Sequence, residues 1–310
     1  MSVFFAGDDI VSCETQEMLA EWRRAIGALV LLWAIGFSAD LSNAYSVEPA
    51  NQLSPDANLE QSLRGVVAGL GLNRQAAERR LAVSLVDVTD MEHVRYAGVN
   101  DRQMMYAASL PKICALVAGF ERIQGGQLEY TPAVKEMFTR MVRYSSNADA
   151  SRAIHTVGFD YIRRVLTSPK YQLYDPSQNG GLWLGKAYGG PGDYWKPDPL
   201  HHLSHGATTL QVARFFMMLQ EGRLVSPEYS AEMKEILSKP GLHHKFVKGL
   251  EGRGCAIYRK SGTWSRYHAD AALVEHGGKK YIAVALMEDE NGGQIFPQLI
   301  QRLDDLIASN

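Results

Sequence analysis

The sequence predicts an α+β protein in which an antiparallel sheet is drawn from both ends of the chain, terminal helices pack on it, and an all-helical part is inserted between. Three observations carry this. Strand candidates fall at residues 81–88 and 93–99 and then again at 258–264, 269–275 and 281–288. The stretch between the two groups has helical periodicity. Helical stripes also flank the strands, at 59–70 and 297–308.

Each element has its own local reason. Residues 45–58 are rich in Ser, Pro, Asn and Asp and read as a linker. Leu59, Leu63, Val66, Val67 and Leu70 then recur at three- and four-residue intervals, a helix that Gly71 ends. The strands at 81–88 and 93–99 are joined by a polar turn at Thr89 and Asp90, and so short a connection makes them antiparallel. From Pro111, the positions Ile113, Leu116, Val117, Phe120 and Ile123 mark one face of a helix closed by Gly125 and Gly126. A second helix over 131–144 has Thr131 as N-cap, Pro132 in first position, and Val134, Phe138 and Met141 as its stripe.

Residues 148–157 and 161–166 are helical, and a Gly-, Pro- and aromatic-rich stretch follows over 167–205. Length without periodicity marks a functional loop, and Tyr174, Trp183, Tyr188, Tyr194 and Trp195 either wall a cleft or pin the loop to the body. His201, His202 and His205 allow two imidazoles on one helical turn, but a zinc site would need further ligands. Helices at 207–222 and 227–237 come next, the latter capped by Ser226 with Pro227 behind it, and His243 and His244 open a short helical piece. Gly277-Gly278 joins the last two strands as a hairpin, and Leu299, Ile300, Leu303, Leu306 and Ile307 form the stripe of the last helix. One domain over 59–310 results, with a sheet part at 59–108 and 256–310 and a helical part at 109–255.

The 310 residues are enough for a sizeable core, and a formal charge of -2 with no long basic run gives no footprint for nucleic acid. Cys13, Cys114 and Cys255 make no dense disulfide framework, and no pairing of Cys114 with Cys255 follows from spacing. Near the N-terminus Arg23 and Arg24 precede an uncharged apolar run over 25–39, and Ser42 and Ala44 have the spacing of a cleavage site. Residues 1–44 therefore read as a secretory signal, or as an N-terminal anchor that would be the only membrane contact, with Met18 a possible true start. The domain is expected outside the cytoplasm, periplasmic or extracellular.

The chemistry concentrates at three places. Ser109 stands at the start of the helix behind Pro111, and Lys112 three residues on shares its face. A serine hydroxyl becomes a nucleophile when a base takes its proton, and a lysine serves as base when burial disfavours its charge. After the second helix comes Ser145-Ser146-Asn147; if extended, it points Ser145 and Asn147 the same way, a hydroxyl to relay a proton and an amide to hold a substrate carbonyl. In the strand at 258–264, Gly262 marks a close backbone approach, Lys260 offers a cation to a substrate carboxylate, and the Thr263 amide can join that of Ser109 in an oxyanion hole.

Ser109-x-x-Lys112, Ser145-x-Asn147 and Lys260-Ser261-Gly262 together resemble the three ordered motifs of the class A β-lactamases and penicillin-binding proteins. The resemblance extends over the layout from Leu59 to the C-terminus and implies a β-lactamase/transpeptidase-like fold. It implies catalytic roles for Ser109, Lys112, Ser145 and Lys260, substrate contacts from Asn147, Ser261, Gly262 and Thr263, and an oxyanion hole of Ser109 and Thr263. It calls for neither metal nor cofactor. The substrate it implies is a small β-lactam or a peptidoglycan-like acyl compound.

The chain departs from that pattern in one respect. The resembled β-lactamases use a loop glutamate to activate the water that frees the acyl-enzyme, and no glutamate stands between Glu136 and Glu221 here. Asp175, Asp193 and Asp198 are the loop carboxylates. Three functions follow as alternatives: a serine hydrolase opening β-lactams or related acyl-D-alanine bonds, a penicillin-recognising receptor or D,D-peptidase-like protein that deacylates slowly, and a non-catalytic wall-binding protein.

Overall fold

The computed structural model of the chain describes residues 53–190 and 193–309. The expected signal or anchor, the Met18 start and all but the end of the linker lie outside the described residues. Leu53–Asn310 is one compact unit.

In chain order the elements are α1 (Ala57–Gly69), α2 (Asn73–Ala77), β1 (Leu81–Asp87), β2 (Arg95–Val99), β3 (Met105–Tyr106), α3 (Lys112–Gln124), α4 (Pro132–Arg143), α5 (Asn147–Val157) and α6 (Phe159–Thr167). The long loop then contributes β4 (Tyr174–Asp175), β5 (Gly180–Gly181) and β6 (Trp183–Leu184), and β7 (His205–Ala207) closes it. There follow α7 (Thr209–Gln220), α8 (Pro227–Leu237), α9 (Phe246–Leu250), β8 (Ala256–Trp264), β9 (Tyr267–His276), β10 (Lys279–Glu288) and α10 (Gly292–Ala308).

Five strands form the main sheet in the order β2-β1-β10-β9-β8, antiparallel at every pairing. The chain ends meet where β1 pairs with β10, Leu81 opposite Met287 and Asp87 opposite Tyr281. Side chains alternate between two cores, because successive residues of a strand face opposite ways. Leu81, Val83 and Leu85 of β1, with Tyr281, Ala283 and Ala285 of β10, pack against Leu59, Leu63 and Val67 of α1 and Leu299, Ile300 and Leu303 of α10. The other register, Ala82, Val86, Ile282, Val284 and Leu286, faces the helical part. Strands buried on both faces explain why their sequences run apolar.

Within the helical part α3 is enclosed, with residues 112–120 all buried. An enclosed helix is apolar on every side, so the stripe read from sequence understates its burial. Gly119 permits this, since a Cβ there would lie 2.4 Å from the Phe138 ring of α4.

Some expectations need correction. Residues 57 and 58 belong to α1, whose N-cap Asp56 accepts from the Leu59 amide at 2.8 Å, so the linker ends earlier. The last helix starts at Gly292 and carries Pro297 inside it. A Cβ on Gly249 of α9 would come 2.4 Å from the Pro297 carbonyl, so α9 crosses α10 at that proline. Ser145 has φ 56°, Ser146 is the N-cap of α5 and Asn147 its first residue, so the tripeptide is not extended.

Candidate active site

Ser109 sits in the turn between β3 and α3, two residues ahead of Pro111, the N-cap of α3. The bonds from Leu110 N to Ala107 O (3.0 Å) and from Lys112 N to Ser109 O (3.3 Å) wind this turn tighter than an α-helix. Ala108 is left-handed at φ 50°, a conformation that costs a non-glycine residue energy and is held by its surroundings. One restraint is Tyr188, whose hydroxyl donates to the Ala108 carbonyl at 3.1 Å. Another is β8. A Cβ on Gly262 would lie 2.2 Å from Ala107 O and 2.7 Å from the Ser109 nitrogen, so only glycine lets the strand approach the serine this closely.

Lys112 has no exposed surface. Its Nζ donates to the Ser145 carbonyl (2.6 Å) and Asn147 Oδ1 (2.8 Å) and lies 3.3 Å from Ser145 Oγ. Left-handed Ser145 turns its carbonyl toward the amine, and the start of α5 brings Asn147 to the same atom. The predicted convergence of Ser145 and Asn147 is therefore reached by a different backbone. Burial drives the Lys112 amine down to about 7. No side-chain hydrogen bond joins Ser109 Oγ to Lys112 Nζ; the amine reaches Ser145 and Asn147 instead.

Lys260 is equally enclosed, at 1% exposure, and its Nζ donates to Ser145 Oγ (2.9 Å) and to Ser261 O (2.6 Å). Its Nζ lies against Ser145 Oγ, and the residue is not among those lining the cleft. Burial, then the charge of Lys112, holds its pKa well below the ordinary lysine value. Two buried amines on one hydroxyl do not both hold a proton cheaply.

Sequence reasoning missed Lys245. Its Nζ donates to Gly262 O (2.6 Å), Thr263 Oγ1 (2.7 Å) and Ala269 O (3.1 Å), tying down the strand end that carries Thr263. Burial lowers it to about 8. Arg259 and Asp270 pair through two bonds of 2.7 Å behind it. An isolated lysine after two histidines carries no local signal of this role, because its partners are seventeen or more positions away.

Ser109 opens onto a cleft of about 580 Å³ whose lining also includes Asn147, Thr263, Tyr106, Tyr188 and His205. The Tyr188 ring centre is 4.3 Å from Lys112 Nζ. Tyr188 thus walls the cleft, whereas Trp183 and Trp195 stack with each other and Trp195 with Phe159 to pin the loop, so both readings of the aromatics apply. His205 donates from Nε2 to Lys186 O at 2.9 Å, and burial lowers its pKa to about 4, which keeps it neutral. His201 and His202 do not join it in any metal-type cluster among the described residues. Cys114 and Cys255 are free, the first in the core facing the helical part and the second against the opposite core.

None of the loop aspartates lines the cleft. Asp198 is buried and accepts from the Leu200, His201 and Leu203 amides and the Tyr174 hydroxyl. Asp175 caps the turn at Ser177, and Asp193 lies 3.6 Å from His155.

With this geometry in view, the sequence model of the beta-lactamase enzyme family matches residues 131–309. The chain belongs to that family. Its fold is similar to that of a beta-lactamase from Sphaerobacter thermophilus (17% identity, TM-score 0.63, covering 81% of this chain and 98% of that one). It is also similar to PBP-A (18%, 0.62, 84% and 100%) and to a PBP-A variant in an acyl-enzyme complex with penicillin G (18%, 0.62, 83% and 99%). At such identities the likeness establishes the fold. No curated protein sequence matches the chain.

Proposed function

We propose that this chain is a serine acyl-enzyme hydrolase, acylated at Ser109 by β-lactams or a related acyl-D-alanine peptide or ester, that releases β-lactam-derived acyl groups slowly. The observation that carries the reading is the buried Lys112 amine, brought to about 7 and held beside the cleft that contains Ser109. A neutral amine has two N–H groups and one lone pair. Donation to Ser145 O and Asn147 Oδ1 uses the two N–H groups and leaves the lone pair for a hydroxyl proton.

In this reading Ser109 Oγ attacks the acyl carbon while its proton passes to Lys112, and the amides of Ser109 and Thr263 receive the developing oxyanion. Ser145, hydrogen-bonded by Lys260, carries a proton to the leaving nitrogen or oxygen. Asn147, with Oδ1 engaged by Lys112, offers its amide NH2 to a substrate carbonyl. Ser261 and Gly262 set the strand edge along which substrate lies.

Deacylation needs an activated water, and no carboxylate is in the cleft lining. That favours a penicillin-recognising or D,D-peptidase-like behaviour over fast β-lactam turnover. A non-catalytic wall-binding role is disfavoured by a complete Ser, Lys, Ser, Lys constellation. Labelled penicillin followed by peptide mapping tests the proposal: label on Ser109 that disappears in Ser109→Ala supports it, and label elsewhere or none refutes it.

Export belongs to the same reading, supported by Arg23, Arg24, the apolar run and Ser42-x-Ala44. N-terminal sequencing of the native protein should begin near Tyr45, and a full-length cytoplasmic product would refute it. Among the described residues no helix is long and apolar enough to cross a membrane.

A further inference from the structure

Away from the cleft, three donor side chains of different chemistry converge where the start of β8, the end of β9 and α10 meet. Ala256 pairs with Glu275, which sets Cys255 beside His276 on the next rung, and Asp304 reaches them from α10. A ligand atom from each of Cys255, His276 and Asp304 lies within 4.8 Å of the other two. We propose that these three side chains form a binding site for a thiophilic divalent cation of the zinc class, separate from the Ser109 cleft.

The donor set selects the ion. A thiolate and an imidazole with one carboxylate suit zinc-like ions, whereas calcium and magnesium call for oxygen donors throughout. Three protein ligands leave a fourth tetrahedral position for water. Metal–donor distances of about 2.0–2.3 Å require the three groups to draw together by roughly 1 Å. Cys255 and His276 are both partly exposed, which gives the ion a path in. On binding, the Cys255 thiol proton leaves to solvent and the sulfur lone pair goes to the metal.

A second observation separates this from an ordinary buried ion pair. Asp304 is 1% exposed, and its Oδ1 accepts from the Tyr281 hydroxyl at 3.0 Å. Arg253 Nε stands 2.7 Å from Oδ2, and His276 Nδ1 3.0 Å from it, yet both Oδ2 and Arg253 Nε are buried without a hydrogen bond. Oδ1 also meets His276 Nδ1 at 3.0 Å, so it is Oδ2 alone that Arg253 faces as an ion pair without a hydrogen bond. The same guanidinium also bonds to Asp305, so it keeps a carboxylate partner if a cation takes its place on Asp304.

The test uses the full chain, reduced and stripped with chelator, then titrated with Zn2+ alone and with Co2+ alone. One equivalent per chain is expected, with a thiolate-to-cobalt charge-transfer band and a melting temperature about 5 °C higher at a hundredfold excess of zinc over Kd. C255S and H276Q should each lose the band and at least tenfold in zinc affinity, while R253Q should bind at least as tightly because it removes the competing cation. Penicillin labelling of Ser109 should be unchanged in C255S. Absence of the band in the parent chain, binding that persists undiminished in C255S, or weaker binding in R253Q would each overturn the proposal. Should C255S melt as an unfolded chain, H276Q and R253Q carry the same decision.

Discussion

Lys112 Nζ stands 2.6 Å from the carbonyl oxygen of Ser145 and 3.3 Å from its hydroxyl, which ties the amine on α3 to the left-handed residue just before the cap of α5. The contact joins two motifs 33 residues apart. It also occupies one N–H of the amine, and from this the predictions follow.

Acylation should depend on pH through Lys112. The amine is active when neutral, so the second-order rate of Ser109 acylation should rise with pH and level off above about 7. Lys112→Arg, which cannot lose its proton, should slow acylation by about a hundred- to ten-thousand-fold. A flat profile from pH 5 to 9 would contradict this role.

The same burial costs stability. Folded Lys112 gives up its proton near 7, while an unfolded lysine holds it to 10.5, so between those values the unfolded chain binds more protons. Stability should rise with pH across that window, by about 1.4 kcal/mol per unit from this group, and the full penalty should remain below it. In urea titrations the difference between the parent chain and Lys112→Met should grow in the parent's favour from pH 7 to 10. Parallel curves would count against a depressed lysine.

Lys260 acts first through Ser145. Lys260→Ala should slow acylation of neutral esters and carboxylated substrates alike by about tenfold or more, because Ser145 loses the lysine's hydrogen bond. A carboxylate in the cleft would favour the charged form of Lys260, so the carboxylated substrate should lose a further tenfold or so. An unaffected neutral ester would break the link to Ser145.

Tyr188 separates acylation from release. Tyr188→Phe removes the bond to the Ala108 carbonyl and should slow acylation modestly, by about tenfold, through looser placement of Ser109. Tyr188→Glu places a carboxylate on the loop residue that faces Lys112 and should speed release of a penicilloyl group. If release stayed unchanged while acylation persisted, water activation would have to come from elsewhere in the cleft.

Much of this was legible in the sequence because it is local. Thr131, Ser226 and Pro132 announce helix starts, Gly277-Gly278 announces a hairpin, and the apolar runs of β1 and β10 announce a sheet. Gly262 was legible as a close approach, although only the fold shows that the approaching backbone is that of Ser109. What escaped the sequence depends on contacts between distant positions. Lys245 reaches Thr263, Tyr188 covers Lys112, and Ser145 adopts a left-handed turn that a Ser-Ser-Asn string does not specify. Lys260 reads as a cation for a substrate carboxylate, and its contact with Ser145 Oγ shows only in the fold.

The central claim is that the site is equipped to form an acyl-enzyme and poorly equipped to discharge it. Intact-mass spectrometry of the chain mixed with penicillin and followed in time tests it most directly. The account predicts rapid gain of one penicilloyl mass, mapped to Ser109, followed by slow decay. Rapid hydrolysis with no detectable adduct, or an adduct that survives in Ser109→Ala, would contradict it.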